Sequence, residues 1–355
     1  MSFKLENSTN TKLIYRDFEL PKIFVVGVGG GGCNTVTRLH RLGIDGAITI
    51  AINTDNTHLK GRTEANKKIL IGKTITHGLG AGGYPPIGEQ CALLSRNDIE
   101  EVLRGAELVF LLAGMGGGTG TGATPVIAEI AKKQSAVVIA IVSTPFDFEK
   151  RLKQRIAIGG IDKLRNIADS VIALDNNKLL EFVPTLPLNK GFQAMDDLIA
   201  QAVKGLTESI TQPSLMNIDY ADVKTIVYRS GLSLMLYGES DGDPDRVVEN
   251  TLSHPFFDVN YKGATGALIH ITSGTFLTVR DVNKIAAGIT KELAIEANVK
   301  CGARIDESCG HKIKVMSILT GLPSCNHYYS RDDVALASGA AQPPEAPALP
   351  SSPFL

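Results

Sequence analysis

The segment Gly114-Met115-Gly116-Gly117-Gly118-Thr119-Gly120-Thr121-Gly122 decides the fold of this chain. It follows the apolar residues 108–113 and precedes a helix-like segment that opens at Ala123. Glycines allow the backbone to approach a phosphate closely, the start of a helix presents unpaired N–H groups, and threonine hydroxyls add donors. The segment therefore predicts a phosphate-binding loop between a strand and a helix.

A second glycine loop, Gly27-Val28-Gly29-Gly30-Gly31-Gly32-Cys33-Asn34, follows the first predicted strand. By itself it also matches G-x-G-x-x-G, the dinucleotide fingerprint, and so leaves an NAD-dependent oxidoreductase open. Two such loops at neighbouring strand ends favour a nucleoside triphosphate. A third glycine cluster, residues 78–83, either closes over the terminal phosphate or forms an ordinary surface loop.

The segments around these loops indicate an α/β fold. Short β-rich runs at residues 23–28, 47–52, 108–112 and 137–142 alternate with helix-like segments, which predicts a parallel sheet with helices on both faces. Apolar residues recur at three- and four-residue steps over residues 191–212, so we expect one long helix of about 30 Å. Beyond it, strand-like runs enclose two amphipathic helices near residues 246–252 and 279–294; these runs are residues 224–228, 232–237, 266–272, 299–305 and 312–318. A smaller α/β domain therefore follows the long central helix.

Composition excludes several classes of protein. The chain has 355 residues with 36 basic and 37 acidic side chains, so it lacks the positive charge that nucleic-acid binding requires. Its apolar runs are shorter than the ~20 residues that span a bilayer, and its N-terminus lacks the order of a signal peptide, which predicts a cytoplasmic protein with no membrane insertion. Five cysteines without a C-x-x-C pair predict reduced, mostly packed thiols and no metal-ligating residues, with disulfides or zinc as a minor alternative.

The run from Gly116 to Gly122 resembles the signature of the tubulin superfamily, and its surroundings resemble the prokaryotic FtsZ family, archaeal members included. The further matches occur in family order over about residues 22–322. They are Asn53-Thr54-Asp55, Pro145-Phe146-x-Phe148-Glu149, Asn176-x-Lys178-Leu179-Leu180 and Met216-Asn217-Ile218-Asp219-Tyr220-Ala221-Asp222-Val223. The resemblance implies a parallel-sheet GTP-binding domain joined by a long central helix to a smaller C-terminal domain.

The resemblance also implies GTP or GDP with Mg²⁺ as ligands and assigns residues to them. Those placed around the phosphates are Gly29, Gly30, Gly31, Asn34, Gly80, Ala81, Gly82, Gly83, Gly116, Gly117, Gly118, Thr119, Gly120, Thr121 and Gly122, with Asn53 and Asp55 near the phosphates and Mg²⁺. Glu149 is assigned to the ribose, and Pro145 and Lys153 join the nucleotide site. Asn176, Phe192 and Asp196 are assigned to the base. A carboxylate at Asp196 can accept hydrogen bonds from guanine N1 and N2, which adenine does not supply in that pattern.

In the family, the loop after the central helix reaches the GTP of the next subunit. Asn217, Asp219 and Asp222 are accordingly the candidate catalytic residues, and the expected partner is a second copy of the chain in a head-to-tail protofilament. Such a contact propagates as an open filament when its rotation does not close. By themselves, Asn217 and Asp219 are more typical of a turn before a strand. The implied function is a GTPase activated by polymerisation, forming cytoskeletal filaments at midcell in cell division.

The implied domains are an N-terminal arm (1–20), the GTP-binding domain (21–190), the central helix (191–212), a GTPase-activating domain (213–325) and a disordered tail (326–355). Two departures from the family leave alternatives open. Lys153 stands where the family usually has arginine, and lysine lacks the planar fork that grips oxygens in two places. The end of the tail, residues 351–355, does not clearly resemble the family's docking peptide. It is expected either to bind a membrane-tethering or division protein or to be a frayed terminus. A non-division cytoskeletal or regulatory relative with weak hydrolysis is the main alternative.

Overall fold

The computed structural model describes residues 20–182, 187–212, 214–228, 230–253 and 261–322. The predicted N-terminal arm, except Leu20, and the predicted tail lie outside these residues. Among the described residues, no helix combines the length and the apolarity needed to cross a bilayer.

The strands of the described residues are β1 (Ile23–Val28), β2 (Ala47–Asn53), β3 (Lys67–Leu70), β4 (Leu108–Gly114), β5 (Val137–Thr144), β6 (Ser170–Asp175), β7 (Gly231–Asp241), β8 (Gly266–Ser273), β9 (Asn298–Ile305) and β10 (Lys312–Thr320). They hydrogen-bond in the order β3-β2-β1-β4-β5-β6-β7-β10-β8-β9. The first six are parallel, which confirms the predicted parallel sheet. β7 joins β6 through three residue pairs only, starting at Ser170 and Gly231, and β10 runs antiparallel between β7 and β8.

The helices are α1 (Gly29–Leu42), α2 (Asn56–Gly61), α3 (Lys73–Thr76), α4 (Pro85–Leu94), α5 (Arg96–Val102), α6 (Gly118–Lys133), α7 (Lys150–Arg165), α8 (Asn177–Phe182), α9 (Leu188–Thr211), α10 (Tyr220–Val227), α11 (Pro244–Leu252) and α12 (Val279–Thr290), with short 3₁₀ helices at Asp147–Glu149 and Glu307–Cys309. The parallel strands are apolar on both faces, because helices cover both. α1 and α9 pack on one face, where Val25 and Phe110 are buried. α4, α5, α6 and α7 pack on the other, where Val26 and Leu111 are buried.

The long central helix is α9, which has 24 residues and begins three residues earlier than predicted. At 1.5 Å per residue it is about 36 Å long. Its buried residues, among them Met195 and Leu206, share one apolar core with the parallel sheet and with β7, β8 and β10. Near its C-terminal end, Glu208 accepts a hydrogen bond from Arg304 of β9 at 2.5 Å. α9 therefore fixes both parts of the sheet to one rigid element.

One sequence-based prediction is wrong: residues 224–228 belong largely to helix α10 rather than to a strand. The β-branched residues of this segment favoured a strand. The helix forms because Asp219 and Asp222 cap its first turn reciprocally, and because Val223, Ile226 and Val227 lie at helical spacing and are buried together. The other predicted strands beyond the central helix, and both predicted helices there, are confirmed.

The start of α1 approaches β4 without room for a side chain. A Cβ atom on Gly32 would lie 2.0 Å from the carbonyl oxygen of Leu112, a backbone atom that cannot move aside. This approach brings the first turn of α1 onto the ends of both β1 and β4.

We expect Gly32→Ala to lower the free energy of unfolding by about 1–3 kcal/mol, since the added methyl group must displace the helix from the sheet. The denaturant midpoint measures this loss. Gly159→Ala is the matched control, because Gly159 lies in the interior of α7 with open space around it. There the same substitution should stabilise the chain by about 0.5–1 kcal/mol. Equal midpoints for the two variants would contradict the close packing of α1.

Candidate active site

A cleft of about 1080 Å³ opens at the carboxyl edge of the parallel sheet, between the strand ends and α9. Open α/β sheets bind ligands at this edge. Ten of the residues assigned to the nucleotide line the cleft: Gly31, Asn34, Gly116, Gly117, Pro145, Glu149, Lys153, Asn176, Phe192 and Asp196. They follow β1, β4, β5 and β6 or lie on α9, so strand ends and one long helix bring them together.

Two helix N-termini point into the same region. α1 begins at Gly29 and α6 at Gly118, and neither N-cap residue provides a side-chain hydrogen bond to the first turn. Neither first turn carries an acidic residue. Gly29 has φ +70°, and a Cβ there would lie 2.9 Å from the backbone nitrogen of Gly120. The two glycine loops therefore touch, and their uncapped N–H groups and positive dipole ends favour an anion such as a triphosphate.

The threonines of the second loop hold its shape. The backbone N–H of Gly116 donates to Thr121 Oγ1 at 2.9 Å, and the hydroxyls of Thr119 and Thr54 lie 2.6 Å apart. Both loop threonines are buried. Seven other predicted site residues do not line the cleft but lie within the first five residues of α1 or α6. They are Gly29, Gly30, Gly118, Thr119, Gly120, Thr121 and Gly122.

Asn53 is the last residue of β2 and Asp55 follows that strand, and both lie outside the cleft lining. Asn53 Oδ1 accepts the N–H groups of Thr54 and Asp55, and Asp55 Oδ1 accepts the N–H of His58 at 2.9 Å. The second carboxylate oxygen of Asp55 has no hydrogen-bond partner among the described residues.

The third glycine cluster, which contains Gly80, Ala81, Gly82 and Gly83, packs beside the same region. The N–H of Gly80 donates to the carbonyl of Thr54 at 3.2 Å. A Cβ on Gly118, at the start of α6, would lie 2.8 Å from Ala81 Cβ. The cluster therefore lies against the loop after β2 and the start of α6.

At the other end of the cleft, Asp196 of α9 faces α1. Thr35 Oγ1 donates to Asp196 Oδ1 at 2.5 Å. Burial raises the pKa of Asp196 from its ordinary 3.8 to about 6, and the nearby charge of Asp197 adds to the rise. Phe192 is 41% exposed and stands edge-on to Phe146 at 5.4 Å. An exposed aromatic face beside an acceptor carboxylate suits a purine base.

Glu149 and Lys153, both assigned to the nucleotide by the family resemblance, are paired with each other. Lys153 Nζ donates to Glu149 Oε2 at 2.6 Å, while Glu149 Oε1 accepts the N–H of Phe146 at 3.1 Å. Lys153, which stands where the family usually has arginine, therefore orients Glu149. A single ammonium makes this contact without the planar fork of arginine.

Several cleft residues were missed in the sequence. Thr35 and Arg38 of α1 face α9, where Arg38 forms an ion pair with Asp197, and Ser143, Thr144 and Gln193 also line the cleft. Helical spacing from the first glycine loop was the available signal, because Gly31, Thr35 and Arg38 recur at steps of three and four residues. The partners on α9 lie about 160 positions away, which local patterns do not reveal.

The three candidate catalytic residues do not line the cleft. Asn217 Oδ1 accepts the N–H of Ser214 at 2.8 Å and its hydroxyl at 2.6 Å. Asp219 accepts the N–H of Asp222 at 2.7 Å, and Asp222 accepts that of Asp219 at 3.3 Å. A hydrogen bond from Lys300 lowers the pKa of Asp222, so this carboxylate is ionised at neutral pH.

This loop lies at the amino edge of the sheet. The hydroxyl of Tyr220, next to Asp219, donates to the carbonyl of Glu107 at 2.9 Å. Glu107 precedes β4, and the glycine loop containing Gly116 follows β4. Seven residues of strand separate these positions by about 23 Å. The loop and the cleft therefore occupy opposite edges of one subunit.

Comparison with known proteins agrees with this geometry. Residues 22–184 match the GTPase domain of the tubulin/FtsZ family, and residues 231–323 match the C-terminal domain of the FtsZ family. Cell division protein FtsZ 2 of Methanocaldococcus jannaschii is 52% identical over 327 residues, which are 91% of this chain and 86% of that protein. The chain belongs to the FtsZ family.

Other members of the FtsZ family support the assignment. FtsZ 2 of Haloferax volcanii is 50% identical over 323 residues, covering 90% of this chain and 80% of that protein. The solved structure of an empty FtsZ dimer from M. jannaschii has a TM-score of 0.82 at 43% identity, covering 85% of this chain and 89% of that one. This FtsZ-family chain is a GTPase that binds guanine nucleotide, which excludes the oxidoreductase alternative.

We expect Asp196→Asn to stabilise the nucleotide-free protein while weakening GTP binding. The raised pKa means that the protonated carboxyl stabilises the fold below about pH 4 and that this stabilisation is lost as the pH rises through about 6. A neutral amide should therefore raise the Tm at pH 7. The corresponding gain in the free energy of unfolding is at most about 3 kcal/mol. GTP affinity should fall by about 100-fold or more, because the amide group cannot accept both guanine N–H groups.

Thermal unfolding at pH 5 and pH 8, with calorimetric titration of GTP, measures both effects. Asp197→Asn is the matched control, since this neighbour pairs with Arg38 instead. Unchanged GTP affinity in Asp196→Asn would contradict the assignment of Asp196 to the base.

Proposed function

We propose that the chain is a self-polymerising GTPase that acts in cell division in the cytoplasm, assembling at midcell, with each active site completed by the next subunit. The observation that carries this proposal is the position of the loop of residues 217–222 at the opposite edge of the sheet from the nucleotide cleft. The hydrogen bond from Tyr220 to Glu107 holds it there. No movement within one rigid subunit brings it to the cleft.

A head-to-tail contact removes this separation. When the amino edge of one subunit meets the carboxyl edge of another, Asn217, Asp219 and Asp222 come to the second subunit's phosphates. Such an interface is heterologous, so each added copy exposes the same edge again and an open filament grows. The FtsZ dimer among the solved relatives is consistent with self-association of this family.

Within the cleft, we assign the phosphates to the two glycine loops, the ribose to Glu149 and the base to Phe192 and Asp196. Among the described residues, no three His, Cys, Asp or Glu side chains group as a metal site. A Mg²⁺ ion would therefore be held mainly by phosphate oxygens, and the open oxygen of Asp55 suits the oxygen ligands that Mg²⁺ prefers. The ion would offset phosphate charge during transfer.

The loop residues would position water rather than perform covalent chemistry. Asn217 uses its side-chain oxygen within its own turn, which leaves its amide N–H groups as donors. Asp219 and Asp222 are fixed by the first turn of α10, so their carboxylates arrive in a set geometry. Phosphoryl transfer depends mainly on such positioning and on stabilisation of charge.

The remaining assignments are also proposals. The domain boundaries at residues 21, 190, 213 and 325 follow the family, with the C-terminal part acting to activate GTP hydrolysis. The tail of residues 326–355, outside the described residues, would bind a membrane-tethering or division protein.

The proposal predicts that GTP turnover per subunit rises steeply above a threshold protein concentration. Steady-state phosphate release, with Mg²⁺ present and ATP as the control nucleotide, measures this dependence. Turnover that is flat with concentration would mean a self-contained site and would remove the roles given to Asn217, Asp219 and Asp222.

Mixing two inactive variants tests directly whether the active site is shared between adjacent subunits. Asp222→Ala should bind GTP but lose turnover by about 100-fold or more, since the loop no longer positions water. Asp196→Asn should also lack GTP turnover, because its cleft binds GTP too weakly. In an equal mixture, interfaces that join an intact cleft to an intact loop should restore about a quarter of wild-type turnover. Turnover that stays at the sum of the two separate variants would show that each subunit works alone.

A further inference from the structure

A lysine lies beside the loop of residues 217–222, and no sequence motif singles it out. Lys300 is the third residue of β9, and its Nζ lies 2.7 Å from Asp222 Oδ1. The side chains are 38% and 23% exposed, so the pair lies at the surface of the amino edge. Asp219 also acts electrostatically on this lysine. The ammonium group of Lys300 therefore interacts electrostatically with two carboxylates.

We propose that Lys300 is a positioning residue for GTP hydrolysis, which offsets the negative charge of Asp219 and Asp222 so that the loop can dock against the anionic nucleotide of the next subunit. This inference rests on the proposed function and adds a residue to it. The class of ligand that the loop meets is a nucleoside triphosphate.

The need for a cation follows from the charges that meet. Docking brings two carboxylates toward a triphosphate whose charge Mg²⁺ neutralises only in part. Repulsion between like charges grows as the interface excludes water, because the effective dielectric constant falls. Lys300 reduces the net negative charge of the loop by one unit, and both carboxylates remain in place.

The geometry also gives Lys300 a second effect. Each oxygen of Asp222 has one partner, with Oδ1 accepting from Lys300 and Oδ2 from the N–H of Asp219. The carboxylate is therefore held in one orientation. Of the three N–H donors of an ammonium, one is used by Asp222, which leaves the others to contact water or phosphate oxygens across the interface.

An exposed ion pair usually contributes little to stability, so stability alone does not test the proposal. The chain offers a matched control in Lys284, whose Nζ lies 2.5 Å from Asp245 on the helices α11 and α12. Both lysines are at least partly solvent-accessible, and each forms a direct ion pair with one aspartate. Only Lys300 lies beside the candidate catalytic carboxylates.

The experiment uses the full chain with Lys300→Met, Lys300→Arg and Lys284→Met. GTP affinity is measured below the assembly threshold, and then the threshold and kcat are measured at saturating GTP. Lys300→Met should keep its GTP affinity within about twofold, raise the threshold several-fold and lower kcat by about 10- to 100-fold. Lys300→Arg should restore kcat to within about threefold, since arginine keeps the charge and the pairing.

The pH profile of kcat provides a readout that a structural role would not move. The charged groups that act on Asp222 are Asp219 of its own turn and Lys300 of β9, and Lys300 has the largest effect in lowering its pKa. Removing the ammonium should therefore shift the acid limb of kcat to higher pH. Saturating GTP keeps Asp196 from contributing to this limb.

The possible outcomes separate the two proposals. If Lys300→Met behaves like Lys284→Met while Asp222→Ala is inactive, the inference fails and the shared site stands. If both Lys300→Met and Asp222→Ala hydrolyse GTP as the wild type does, the proposed function fails. A loss in Lys300→Met that Lys300→Arg does not restore, or an acid limb that does not move, overturns the charge argument.

Discussion

The nucleotide site depends on direct contact between backbones. α1 meets β4 at Gly32, and α6 meets the same strand at Gly120, where a Cβ would lie 2.3 Å from the carbonyl oxygen of Gly114. Because no side chain separates these elements, two helix N-termini converge on one pair of strand ends. The attraction for phosphate then comes from peptide N–H groups and aligned dipoles, which are present in any sequence able to make the contact.

The end of the cleft that we assign to the base depends on contacts between side chains instead of between backbones. Thr35 and Arg38 of α1 meet Asp196 and Asp197 of α9 through side chains alone. α9 carries this recognition near its start and leads into the candidate catalytic loop after its end. One rigid helix therefore connects the element that would distinguish guanine with the element that would act on the neighbouring subunit, so a displacement of α9 would affect both.

The strand–loop–helix structure of the two glycine loops could be predicted from the sequence because its signal is local: a strand, glycines and a helix follow one another directly. The base residues were accessible only through the family resemblance, since Phe192 at helical spacing is otherwise typical of a core. α10 was mispredicted because β-branched composition outweighed the capping pair Asp219 and Asp222. Helical spacing could have placed Thr35 beside the first glycine loop, but the contacts of Thr35 with Asp196 and of Lys300 with Asp222 could not be predicted, because these partners are distant in sequence and meet only in the folded chain.

The hydrogen bond from Tyr220 to Glu107 places the loop at the edge opposite the cleft, and this has a consequence for any filament whose active sites are shared between neighbouring subunits. The subunit at one tip has a cleft that no neighbouring loop reaches, and the subunit at the other tip has a loop with nothing to act on. The first tip therefore retains its triphosphate after the interior has been converted to GDP. The two ends of each filament would therefore differ in bound nucleotide. Short filaments would hold a larger fraction of unhydrolysed GTP than long ones.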